Sequence, residues 1–223
     1  LTSKIKYSDF ILQLPKNVNL VAVSKTKSNE DIMELYNLGQ RDFGENYVQE
    51  LVSKQETLPK DIRWHFIGHL QTNKVKYIAP FVYLIHSVDS LKLLKEIDKQ
   101  GEKNNRKISC LIQSYVGNEE TKYGLNENEV LSLLNSEEVV GLLNISLKGL
   151  MGMASNTVDE NQIKKEFHQL KNIFDSIKNN SNAKYSFEFL SMGMSGDYNL
   201  AISEGSNMIR PGSILFGERN YQK

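Results

Sequence analysis

Short apolar runs alternate along the chain with longer amphipathic stretches. The runs fall at 20–23, 41–43, 62–67, 83–86, 108–112, 145–150, 185–190 and 207–209. Each has the length of a strand, and several lack the in–out alternation of a strand with one wet face. Near-continuous apolar strands are those of a parallel sheet buried on both sides. The intervening stretches predict helices, most clearly over 160–179, where Ile163, Phe167, Leu170, Phe174 and Ile177 advance by fours and threes. That spacing lays one apolar stripe along a helix and leaves lysines and glutamines outside. Ser28-Asn29-Glu30-Asp31 opens an earlier helix with a capping residue and early acids, and Gly39 closes it. Segments 46–55, 71–78, 90–104, 126–134 and 196–205 predict further helices.

Alternation of strands and helices implies a parallel sheet with right-handed crossovers. Eight such units close a (β/α)₈ TIM barrel, and 223 residues suits a small one. The alternative is a doubly wound open sheet. No strand candidate is followed by GxGxxG or GxxxxGK[ST], the usual phosphate loops of that fold, so the barrel is preferred. No Pro/Gly/Ser-rich linker divides the sequence, and residues 1–223 are expected to form a single domain.

Charge and composition narrow the partners. Lys+Arg and Asp+Glu both total 27, so no global cationic field draws the chain to nucleic acid or anionic lipid. The longest uncharged apolar tract, 78–88, is 11 residues, short of the roughly 20 a membrane helix needs. The opening segment, with Lys4, Lys6 and Asp9, does not read as a signal peptide. Cys110 is the one cysteine, which excludes an internal disulfide and any cysteine-cluster metal site. A cytoplasmic, monomeric protein without nucleic-acid or membrane partners is the expectation.

In a barrel, function sits on the loops after the strands' C-terminal ends, and anions are often held after strands 7 and 8. Lys25 directly follows the first run, which places an amine at the barrel mouth, where partial desolvation favours Schiff-base chemistry. Ser191-Met192-Gly193-Met194-Ser195-Gly196 follows the seventh run. Its glycines let amides approach an anion and its serines add hydroxyl donors, although Ser195 or Asp197 would equally serve as a simple helix cap. Arg210-Pro211-Gly212-Ser213 follows the eighth; it adds a fixed cation, and Pro211 subtracts one amide. An amine facing a two-loop anion site describes a ligand with an aldehyde at one end and a phosphate at the other. Pyridoxal 5′-phosphate (PLP) has that shape.

These residues also carry a resemblance. Val21-Ala22-Val23-Ser24-Lys25-Thr26-Lys27 resembles the cofactor-lysine motif of the YggS/PROSC family of pyridoxal phosphate homeostasis proteins. The blocks from Phe43 to Glu50, from Trp64 to Lys74, from Gly149 to Met153 and from Leu190 to Asp197 are similar to further family motifs, in order, as is Phe216-Gly217. The resemblance implies a fold-type III barrel like the N-terminal domain of alanine racemase, with Lys25 holding PLP as an internal aldimine. It implies that Ser191, Ser195, Gly212 and Ser213 face the phosphate, that Arg210 faces the phosphate or the pyridine edge, and that Asn46 and Met192 lie near the ring. The sequence departs from the family at His69, Tyr115 and Pro211, and its first helix is shorter than is usual.

Other groups have plainer readings. His65 and His69 are four apart, but on a strand running into a loop that spacing makes no zinc pair. His86 ends a strand and is a candidate for lining the mouth, His168 is expected at the surface, and Cys110 in the core. Glu119-Glu120 reads as a solvated loop pair, and the lysines around 73–77 as a modest basic spot. Three functions compete: a PLP-binding homeostasis protein without established turnover that supplies apo-enzymes, a PLP-dependent racemase, and a lysine aldolase or hydrolase acting on phosphosugars. Racemisation needs an acid/base group on each face of the substrate. In racemases resembling this fold the second group comes from a further β domain, and none follows Gly217 in this sequence. The homeostasis reading is therefore preferred, with Tyr115 as the candidate for any weak side activity.

Overall fold

The computed structural model describes residues 2–116, 123–180 and 185–217. Among them nine strands, all parallel, make one sheet: β1 Asn19–Leu20, β2 Ala22–Val23, β3 Asp42–Glu45, β4 Arg63–Phe66, β5 Leu84–Val88, β6 Ile108–Gln113, β7 Ile145–Met151, β8 Phe189–Ser191 and β9 Met208–Ile209. The order is β1-β9-β8-β7-β6-β5-β4-β3-β2. β1 and β2 are two halves of one run, separated only by Val21. Leu20 pairs with Ile209 on one side and Ala22 with Phe43 on the other, so the first and last strands meet and the barrel closes on eight staves.

The helices are α1 Thr2–Gln13, α2 Asn29–Asn37, α3 Val48–Thr57, α4 Val75–Ile78 after a 3₁₀ turn at Thr72–Lys74, α5 Leu91–Lys103, α6 Glu127–Asn135, α7 Glu137–Gly141, α8 Glu160–Asn180, α9 Tyr198–Ser203 and α10 Ser213–Phe216. Ser28 forms a reciprocal capping box with Asp31 at the start of α2, and Asn126 forms another with Glu129 at the start of α6. α1 buries Tyr7 and Phe10, with the Tyr7 hydroxyl donating to Gln40 Oε1 at 2.9 Å and the Phe10 ring 5.2 Å from that of Tyr198. The short first helix therefore still has an anchored face.

Strand alternation sorts the core into two layers. Val21, Leu84, Leu111, Met151 and Met208 pack together inside the barrel. Phe43, Trp64, Phe66, Ile85, Leu150 and Leu190 turn outward against Ile32, Leu51, Ile97, Phe167 and Leu170 of the helices. One expected strand is shorter than its apolar run. β8 begins at Phe189, because Tyr185 and Phe187 instead pack on each other and on Phe174 of α8. The brief α7 and α10 lie in stretches whose sequence has too few turns to show a helical period.

At Gly149, φ is +149°, and a Cβ would sit 1.8 Å from the Phe189 carbonyl oxygen of the paired strand. Gly149→Ala should therefore cost more than about 2 kcal/mol in urea unfolding. Gly141→Ala, where a Cβ meets nothing within 4 Å, should be neutral. Equal stabilities for the two variants would contradict the close approach of β7 and β8.

Candidate functional site

Closure of the sheet builds the site. Val23 N–H donates to the Pro211 carbonyl and Ser24 N–H to that of Gly44, at 2.9 and 3.0 Å. The turn carrying Lys25 thus lies between the loops that follow β9 and β3. A cavity of about 350 Å³ opens here, lined by Lys25, Lys27, Asn46, Met153, Ser195, Gly196, Arg210, Gly212 and Ser213 among others. That volume falls within the range of roughly 300–1,000 Å³ typical of small-molecule sites. Residues brought from β2, β3, β8 and β9 converge on one space at the C-terminal ends of the strands.

The Lys25 turn is braced from below. Thr26 holds φ at +65°, uncommon for a β-branched residue. Its amide donates to Glu50 Oε1 at 2.6 Å. Lys54 of α3, itself buried, bonds Glu50, Glu45 and the Ser24 carbonyl at 2.6, 2.8 and 2.8 Å. The Ser24 hydroxyl donates to the same Glu45 oxygen at 2.5 Å. Glu45 is fully buried, and its second oxygen has no partner. Burial pushes its carboxyl up to about 7, against the lowering effect of the Lys54 ammonium and of these hydrogen bonds.

At the cavity two loops meet. Ser195 Oγ accepts from the Gly212 amide at 2.9 Å and from the Ile214 amide at 3.5 Å. With both contacts accepted, the serine hydrogen is left to donate toward the cavity. Asp197 stands at the N-cap of α9, but its side chain turns back to accept from the Met194 amide at 2.6 Å and makes no cap bond. Arg210 is buried, donating to Ser191 Oγ at 2.6 Å and to the Gly152 carbonyl at 3.0 Å. Burial lowers its guanidinium to about 10, which leaves it charged at neutral pH. Among the described residues no carboxylate is in ion-pair contact with it; the Asp197 charge favours the cation from further off and only partly offsets its burial. Asn46 Oδ1 is also buried without a partner.

The family described as "Alanine racemase, N-terminal domain" matches residues 10–220. A protein named pyridoxal phosphate homeostasis protein in Aquifex aeolicus (strain VF5) is 42% identical over 203 residues, covering 91% of this chain and 87% of its own. One of the same name in Schizosaccharomyces pombe (strain 972 / ATCC 24843) is 41% identical over 214 residues, 93% and 87% of the two chains. This chain belongs to the pyridoxal phosphate homeostasis protein family. Among solved structures, PipY of Synechococcus elongatus PCC7942 with PLP bound superposes with a TM-score of 0.88 at 32% identity, over 96% of this chain and 100% of that one. An alanine racemase of Clostridium difficile 630 shares the fold, with a TM-score of 0.78 at 14% identity, over 99% of this chain and 57% of the racemase.

Of the residues singled out from the family motifs, Lys25, Asn46, Ser195, Arg210, Gly212 and Ser213 line the cavity together. Two do not. Met192 is fully buried in the outer core layer with Leu190 and Ala201, because alternation along β8 turns it away from the barrel mouth. Ser191 points inward but is also fully buried, held by Arg210 and by His86 Nδ1 at 3.2 Å, behind the cavity wall. His86 likewise lies inside the barrel rather than at its mouth.

His65 is buried while His69 lies exposed beyond Gly68, stacked on Tyr123 at 4.0 Å, and no metal-binding cluster occurs among the described residues. His168 is exposed beside Glu204, and Cys110 is buried with its thiol pKa pushed up by burial. Tyr115 is half-buried and outside the cavity lining. Glu119-Glu120 lies outside the described residues. Among the described residues no helix is long and apolar enough to cross a membrane. The Glu45–Lys54–Glu50 brace was not apparent from the motifs, although Glu50 and Lys54 stand at i,i+4 and both face Glu45.

Proton linkage gives these buried groups opposite signatures. His65 and His86 are lowered by desolvation, so below the unfolded value near 6.5 the unfolded chain binds protons that the folded chain does not, and stability falls as pH falls. Glu45 is raised from 4.5 to about 7, so over that window the folded state holds the extra proton and stability falls as pH rises. Between pH 6.5 and 5 the two histidines draw stability down on acidification and Glu45 opposes them. Glu45→Gln should steepen that loss by about 1.4 kcal/mol per pH unit. Urea midpoints across the range measure it, and an unchanged slope would mean that Glu45 is ionised throughout.

Proposed function

We propose that the chain binds pyridoxal 5′-phosphate through Lys25 and takes part in intracellular PLP homeostasis without catalytic turnover. The observation that carries this reading is the convergence, in one cavity, of the Lys25 amine, a buried arginine with no carboxylate in ion-pair contact among the described residues, and the Ser195–Gly212 junction. The residues fit the cofactor at both ends. Ser195, Gly196, Gly212 and Ser213 form the phosphate end, Arg210 meets the phosphate or the ring edge, and the orphaned Asn46 Oδ1 offers an acceptor toward the ring. Bound PLP would supply an electrophilic aldehyde for condensation with an amine, and Lys25 would supply that amine.

Among the described residues, the lining contributes no histidine, tyrosine or carboxylate. Lys27, the other amine there, is engaged with the Phe216 carbonyl at 3.2 Å. A site so furnished holds a carbonyl compound but lacks the paired acid and base that racemisation needs. In this reading the chain retains and delivers the cofactor, with residues 1–223 acting as one cytoplasmic, monomeric binding domain that serves apo-enzymes.

PLP should bind with one-to-one stoichiometry in a titration followed by absorbance. Pyridoxal, lacking the phosphate, should bind on the order of 100-fold more weakly, through the loss of about two charge-assisted hydrogen bonds. Equal affinity for both would remove the phosphate end from the account. In deuterated water with L-alanine, proton NMR should show no α-proton exchange beyond the protein concentration, whereas multiple turnovers would favour the racemase reading.

A further inference from the structure

Inside the barrel, polar side chains join the lower rim to the cavity. Arg63, the first residue of β4, grips Asp42, the first of β3, with Nε donating to Oδ1 at 2.7 Å and Nη2 to Oδ2. Asp42 Oδ1 meets His65 Nε2 at 2.9 Å, His65 Nδ1 meets His86 Nε2 at 2.9 Å, and His86 Nδ1 meets Ser191 Oγ at 3.2 Å. Ser191 Oγ then accepts from Arg210 Nη1 at 2.6 Å, and Arg210 lines the cavity. Both imidazoles, Ser191 and Arg210 are buried.

The direction of every bond follows from its ends. A guanidinium only donates and a carboxylate only accepts. A proton added to either fully desolvated imidazole would put a further cation into a dry interior that already holds the buried Arg210 guanidinium. With both rings neutral, His65 Nε2–H donates to Asp42, His86 Nε2–H donates to His65 Nδ1, and the Ser191 hydroxyl donates to His86 Nδ1. The Ser191 lone pairs are then left for Arg210. Reversing any bond would set two hydrogens or two lone pairs against each other.

We propose that Asp42, His65, His86 and Ser191 form a one-way hydrogen-bond chain that holds the Arg210 guanidinium in a single orientation at the cavity. Ser191 is thereby a positioning residue for Arg210 and not a phosphate contact. Its bearing on PLP rests on the reading of the site above; the chain itself belongs to the protein without ligand.

Nitrogen-15 NMR of the unliganded protein at neutral pH tests it. His65 and His86 should both appear as neutral Nε2–H tautomers, and Arg210 should show arrested rotation about its Nε–Cζ bond. Asp42→Ala, at a residue that hydrogen-bonds neither His86 nor Arg210, should change the His86 signals and speed the Arg210 rotation. Ser191→Ala should free Arg210 and weaken PLP binding about tenfold, and Ser191→Thr, which keeps the hydroxyl, should restore both. A His86 Nδ1–H tautomer would overturn the proposal, as would unchanged Arg210 rotation in folded Ser191→Ala. If Asp42→Ala does not fold, the Ser191 pair decides. Failure of the wild-type chain to bind PLP would refute the proposed function while leaving the tautomer and rotation results to judge the chain of hydrogen bonds.

Discussion

The pairing of β1 with β9 is the constraint on which the site depends. Leu20 opposite Ile209, continued by the Val23 amide on the Pro211 carbonyl, closes a sheet whose two ends are far apart in sequence. Without that seam the Lys25 turn and the Arg210-Pro211-Gly212-Ser213 loop would belong to opposite edges of an open sheet. With it, Val23 backs directly onto Gly212, where a Cβ would come within 3.2 Å of the Val23 carbonyl oxygen. The amine and the loops after β8 and β9 share one cavity because the barrel has no edges.

Closure also creates a problem of charge. A small barrel interior must be filled with side chains, and here several are polar. The protein solves this twice in different ways. Beneath the Lys25 turn, outside the sheet, Lys54 gathers Glu45, Glu50 and the Ser24 carbonyl around one ammonium. Inside the barrel, Asp42 and Arg210 stand apart and are joined through neutral imidazoles and a hydroxyl. Buried ion pairs add little net stability once desolvation is counted. Their value here lies in geometry: the first brace holds the strained Thr26 conformation beside the amine, and the second steadies the guanidinium.

Much of this was legible in the sequence. The eight apolar runs correspond to the eight staves, because a parallel sheet covered on both faces writes itself as unbroken apolar stretches. Lys25, Ser195, Arg210, Gly212 and Ser213 reach the same cavity, since loop positions after strand ends follow from topology, and Asn46, which only the family motif implied, joins them there. Met192 and Ser191 were harder because a motif gives position along the chain but not the direction of a side chain. One residue of register decides between barrel interior and helix layer, and whether an inward serine meets ligand or protein depends on neighbours contributed by distant strands. The two histidines did leave a trace: each sits between apolar neighbours within a strand run, Trp64 and Phe66 around His65 and Ile85 before His86, at inward positions on adjacent staves. Neither position reveals that the other ring lies 2.9 Å away.

PLP binding in this barrel turns on the chemistry of one amine. The direct measurement is to incubate the purified protein with PLP, reduce with borohydride, digest, and locate the added mass by peptide sequencing in the mass spectrometer. The predicted result is a single modified residue, Lys25, with the adduct absent from a folded Lys25→Ala variant. A stoichiometric adduct on Lys27 or another lysine, or no adduct at all, would contradict it.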